Sequence, residues 1–112
     1  MQMTLISGSE YRAACAELIR AVMQRPGMYY SSPRELESLI NGHAWAFRQL
    51  GAEETGTSFF EDFSRWLHEE KGEPISPSGW VHQVERMCAN RGEHFNERMA
   101  QLADEFLTSW TN

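Results

Sequence analysis

Apolar residues recur at helical spacing from one end of this chain to the other, and no segment shows a convincing two-residue alternation. Tyr11, Cys15, Leu18 and Val22, broadened by Ala14, Ile19 and Met23, predict a first helix from about Ser9 to Gln24. Leu36, Leu39, Ile40, Ala44, Phe47 and Leu50 predict a second from Ser32, with Gly51 placed at C′ to stop it. A third starts at Ser58, where Ser58-x-x-Glu61 has the chemistry of a capping box. It carries Phe59 or Phe60, Phe63, Trp66 and Leu67, and ends at Gly72. After the turn-rich residues 72–79, Trp80, Val81, Val84, Met87 and Cys88 predict a fourth helix from Pro77 or Ser78 to Asn90-Arg91-Gly92. The fifth runs from about Glu93 to Trp110 on Phe95, Met99, Leu102, Ala103, Phe106 and Leu107. The expected architecture is all-α: a single compact domain of about five helices over residues 1–112, with 1–8 a flexible or extended N-terminus.

The connector between the first two helices carries the densest local signals. Pro26 fixes its own φ and pushes Arg25 toward extended geometry, so the preceding helix should end there. Gly27 can take a positive φ, which makes Pro26-Gly27 read as a turn. Ser32 has the form of an N-cap, Pro33 of N1, and Glu35 of the N3 partner in a capping box. Met28, Tyr29 and Tyr30 lie between these fixed points. Tyr29 is expected to clamp the connector onto the fold, and Tyr30 to face outward. Gly42, inside the second helix, suggests that a neighbouring element approaches closely.

Charge changes the picture more than composition does. Residues 1–52 carry five Arg against four Glu, whereas residues 53–112 carry four Arg and Lys71 against twelve acids, so nearly all of the net charge of −6 lies in the second half. That opposes nucleic-acid binding, which needs cations to displace counterions from phosphates. It suits a basic protein partner, although the same acids also serve simply as solvated helix faces. No apolar run reaches the ~18–20 residues of a membrane span. Met1 to Glu10 lacks the basic and apolar regions of a signal peptide. Cys15 and Cys88, each inside a helical pattern, read as buried reduced thiols of a cytoplasmic protein.

Candidate chemistry is sparse. His43, His68, His82 and His94 form no i, i+3 or i+4 pair, and His82-x-x-Glu85 has no second copy, so no metal is expected. His43 reads as a buried or half-buried hydrogen-bonding residue. The serines at 31, 32, 58 and 78 are accounted for by caps and turns, and no Gly-x-Ser-x-Gly elbow occurs. No catalytic residue and no cofactor are therefore expected. Arg-Pro-Gly-Met-Tyr also occurs in the ATPase domain of type II topoisomerases, but the nucleotide-binding elements that accompany it there are missing here. Trp66, Trp80 and Trp110 read as core, while Trp45, beside the second helix's apolar stripe, can stand partly exposed as an anchor.

Arg25-Pro26-x-Met28-Tyr29, then Leu39-Ile40-x-Gly42-His43, Phe60-x-x-Phe63, Trp80 and Asp104-Glu105-Phe106-Leu107 occur in that order along residues 18–108. This series resembles a group of small bacterial proteins that look like immunity proteins of polymorphic toxin systems. A glycine often follows the Tyr-aliphatic step in that group, where Ser31 stands here. The resemblance implies a helical fold and neutralisation of a cognate antibacterial toxin, by occluding or distorting its active site. On that expectation the free protein is a monomer, and its contacts are Tyr30, Arg34, Trp45, Glu53, Glu54, Glu61, Asp62, Glu69, Glu70 and Glu73. A helical adaptor for another host protein is the alternative, and a small helical enzyme a third.

Overall fold

The structure, a computed structural model, describes residues 7–49 and 58–112. Six helices and no strand occur among these residues, in one compact all-α domain: α1 (Gly8–Gln24), α2 (Pro26–Tyr29), α3 (Pro33–Gln49), α4 (Phe59–Lys71), α5 (Trp80–Arg91) and α6 (Phe95–Trp110). The sixth element beyond the expected five is α2, a single turn inside the connector. Ser7, extended at the N-cap, accepts the Glu10 N–H at 3.2 Å, so α1 starts at Gly8, one residue before the expected Ser9. The expected Gly51 stop, and Glu53 and Glu54, lie outside the described residues.

α1 ends where Pro26 requires. Arg25 still donates its N–H to Val22 O, but the next residue has no N–H to continue the ladder, and Pro26 instead opens α2 at N1. Gly27 does not take the positive φ expected of it; among the described residues only Gly72, Gly79 and Gly92 do. The connector is therefore a turn of helix, which needs no left-handed residue. α3 begins as its sequence dictates, with the Glu35 N–H donated to Ser32 Oγ at 3.3 Å. Its return bond is shifted by one residue: the Glu35 carboxylate accepts the Ser31 N–H at 2.8 Å and the Ser31 hydroxyl at 2.9 Å, not the N-cap N–H.

The helix starting at Phe59 is capped differently from the expected box. Ser58 occupies N-cap geometry, but its side chain makes no capping bond. The Phe59 N–H goes to the Tyr11 hydroxyl at 3.3 Å, a partner 48 positions away. Gly72 and Gly92 end α4 and α5 in the left-handed conformation, as read from the sequence. α5 begins at Trp80 because Gly79, at φ 92°, directs the chain into it. A Cβ at Gly79 would stand 3.0 Å from both Glu37 Oε2 and the Phe60 ring. Close approach thus falls at Gly79. At Gly42 an added Cβ would meet nothing within 4 Å.

One core joins all the long helices. Tyr11, Cys15, Ile19 and Val22 of α1 meet Leu36 and Ile40 of α3, Phe59, Phe63 and Leu67 of α4, Trp80 and Val84 of α5, and Met99, Leu102 and Phe106 of α6. α1 has its most extensive packing on α6. The two run antiparallel, since Tyr11 meets Trp110 while Arg20 and Gln24 face Asp104 and Ala100. Aromatic rings fill the centre. Phe59 and Phe63 stack at 4.9 Å, and Trp80 stands edge-on to both at 5.4 and 5.5 Å. Among the described residues two polar side chains, Ser64 and Gln83, are buried in this core and are bonded together: Ser64 Oγ donates to Gln83 Oε1 at 2.6 Å, and Gln83 Nε2 to Ser64 O at 3.3 Å. That pair fixes the register of α5 on α4, because slipping either helix would leave buried donors unmade.

Two substitutions check this account by urea denaturation. Tyr11→Phe keeps the ring contacts but strands the Phe59 N–H, and should destabilise the fold by about 1–3 kcal/mol. Gly42→Ala, on an open helical surface, should stabilise it by about 0.5–1 kcal/mol; a loss of stability would mean that the glycine is needed for packing after all.

Candidate partner-binding surface

The helices sort the expected contact residues into three sets. Some are tied into the fold. Tyr30 is the main correction: it is only 7 % exposed, and its hydroxyl donates to Asn96 Oδ1 at the start of α6. Tyr29, expected to be the clamp, is 48 % exposed. The roles exchange because the single turn of α2 rotates successive residues by about 100°. Residue 29 therefore points away from the body, and residue 30 leaves the turn in extended geometry toward α6.

Asp62 and Glu73 are likewise engaged internally. Asp62 accepts the Trp110 indole N–H at 2.9 Å and lies 3.6 Å from Arg65. Burial raises its pKa, and the indole hydrogen bond and the nearby Arg65 and Arg12 offset part of that rise. Glu73 pairs with Arg86 Nε at 2.7 Å, while the same guanidinium donates to Pro74 O at 2.7 Å. These bonds pin residues 73 and 74 to α5.

The second set faces water. Trp45 is 61 % exposed on the outer side of α3, whose inner side buries Leu36 and Ile40. Met28 is 72 % exposed on α2. Arg34 is exposed and makes an i, i+3 pair with Glu37 at 3.6 Å. Glu61, Glu69 and Glu70 are exposed on α4. Sequence reasoning passed over Met28 as a surface residue because its position in the turn, not its type, exposes it. The third set, Glu53 and Glu54, lies outside the described residues.

Groups that could do chemistry are dispersed or sealed. Among the described residues no three His, Cys, Asp or Glu side chains come together to hold a metal. Cys15 and Cys88 are free and buried. Burial pushes the Cys15 thiol up to about 12, with the Tyr11 hydroxyl beside it offsetting a small part. A shallow open groove of about 300 Å³ lies between α1 and α6, lined by Arg20, Met23, Gln24, Ala100, Ala103 and Asp104. Trp80, one of the structural positions read from the sequence, is fully buried, and its indole N–H has no partner among the described residues. None of the described helices is long and apolar enough to cross a membrane.

His43 is half-buried between Phe47, 4.7 Å away ring to ring, and Tyr11 at 6.1 Å. Its Nδ1 is buried without a hydrogen-bond partner among the described residues, and desolvation lowers its pKa below 6.5. The unfolded chain therefore takes up a proton on His43 at a higher pH than the folded one. Stability falls as pH drops from about 6.5 through the folded pKa. In urea titrations at neutral pH and at about pH 5.5, wild type should lose more stability than His43→Gln. The variant cancels the contribution of Asp62, whose raised pKa acts with the opposite sign. Equal losses would show that His43 is not the acid-sensitive group.

Comparison with protein-family models, with curated proteins and with solved structures finds no match to this chain.

Proposed function

We propose that this chain is a cytosolic binding protein of the immunity type, which holds a cognate antibacterial toxin and blocks its action by covering or distorting its active site. The observation that carries the reading is Trp45. An indole is costly to leave in water, and nothing in the packing of α3 requires it, because Leu36 and Ile40 already bury the opposite side of that helix. Trp is among the residue types enriched at the energetic hot spots of protein interfaces. The sequence resemblance points the same way.

The exposed Glu61, Glu69 and Glu70 add long-range attraction for a cationic partner, which speeds encounter more than it strengthens the final complex. Asp62 and Glu73 are left out of that set, since each already satisfies a group of its own chain.

Co-expression with the product of the neighbouring gene, scored for growth rescue and for a co-purifying complex, tests the reading. Trp45→Ala should fold as wild type and weaken the complex by about 2 kcal/mol or more, roughly thirtyfold in Kd. The association rate should fall with added salt. Absence of any complex with the wild-type chain would refute the proposal.

A further inference from the structure

We infer that α2 is the inserting element of this interface, with Met28 and Tyr29 entering an apolar cleft of the partner whose rim carries carboxylates. The inference rests on the binding reading above and adds a mode of inhibition to it, plugging by a preformed knuckle.

Three observations converge on α2. The first is exposure: Met28 and Tyr29 are adjacent, large and apolar, and they stand out at 72 % and 48 % while Tyr30 turns inward. Met, Tyr and Arg are the residue types enriched where interfaces are buried, and Arg25 and Arg34 bracket this turn.

The second is rigidity. A four-residue turn on a loop would be a poor anchor, because ordering it on binding would cost affinity. Here both ends are fixed beforehand. Pro26 sets the entry, and the Met28 and Tyr30 N–H groups go to Arg25 O at 3.0 Å and Pro26 O at 3.1 Å. The Tyr30 hydroxyl is held by Asn96, and Ser31 by the Glu35 carboxylate. Gly27 keeps the knuckle narrow, with open space where a Cβ would stand.

The third is charge. From Leu18 to Arg34 the chain carries Arg20, Arg25 and Arg34 and no acid, although the whole chain is strongly acidic. Arg25, at the base of α2, is exposed and makes no ion pair among the described residues, whereas Arg20 faces Asp104 across the groove between α1 and α6. Arg25 and Arg34, the exposed cations that flank this apolar tip along the chain, are complementary to an apolar cleft edged by carboxylates, and like charges on the partner would oppose entry. The acids of α4 are spread over a different helix, so this face and the acidic one read different parts of a partner.

The test uses the full chain and the co-purified product of the neighbouring gene. Met28→Ala/Tyr29→Ala should lower affinity by about a hundredfold with an unchanged thermal melt, since both side chains are exposed. Gly27→Leu should do the same by thickening the knuckle, without strain, because the site is open and its φ is not positive. In peroxide footprinting read by peptide mass spectrometry, Met28 should oxidise readily in the free chain and be protected in the complex. Binding by the double variant within about threefold of wild type, or equal oxidation of Met28 free and bound, overturns the insertion. If Trp45→Ala weakens the same complex, the binding reading survives that result. If wild type forms no complex, both readings fall.

Discussion

The Tyr11 ring meets His43 and Phe47 on α3 and Trp110 on α6, and its hydroxyl accepts the Phe59 N–H at the head of α4. One side chain thus joins four helices, and the rest of the packing depends on it. The four N-terminal N–H groups of a helix have no partner within it. In a small domain a buried, unmade donor costs a substantial part of the total stability. Supplying that bond from a core tyrosine lets Phe59 sink fully into the interior. Phe59 in turn brings Phe63, Trp80, Phe106 and Trp110 into ring contact. Desolvation raises the pKa of Tyr11, as expected of a phenol held in the core.

The polar groups near this core are arranged by the same need to be partnered. Gln83 and Ser64 are bonded together inside, Asp62 holds the Trp110 indole at the edge, and Arg86 ties Glu73 and Pro74 to α5. Lys71 lies over the Trp66 ring at 5.4 Å and pairs with Glu105 at 3.1 Å, closing the end of α4 against α6. Side chains used in this way are withdrawn from any partner. What is left facing water includes the apolar Met28, Tyr29 and Trp45 on helical backbone, Phe60 and Ile75 elsewhere, Arg25 at the base of α2, and acids on α4.

Sequence reading did well where the cause is local. Five long helices, the end of α1 at Pro26, the Ser32 cap of α3 and the glycine stops at Gly72 and Gly92 all follow from periodicity or from a single residue's backbone preference. It failed where a distant group decides. The Ser58 box was a sound local motif, but the Ser58 side chain makes no capping bond, and the start of α4 is held instead by Tyr11 of another helix through the Phe59 N–H. Gly42 suggested close approach because a helical glycine usually needs a reason, whereas the crowded glycine is Gly79, whose neighbours Glu37 and Phe60 come from two other helices. Gln83 gave no signal at all, since a glutamine between apolar helix positions looks like a surface residue until Ser64 stands opposite it.

The connector separates the two kinds of knowledge. By itself the sequence determined that residues 25–35 would be stiff and would launch α3, because proline geometry and capping act within a few residues. It could not determine which tyrosine faces the solvent. That was decided by one extra turn of helix and by Asn96, 66 positions beyond Tyr30, which offers the only polar partner recorded for its hydroxyl among the described residues. Exposure is a property of the packed whole, since a side chain is buried only when some other part of the chain arrives to cover it.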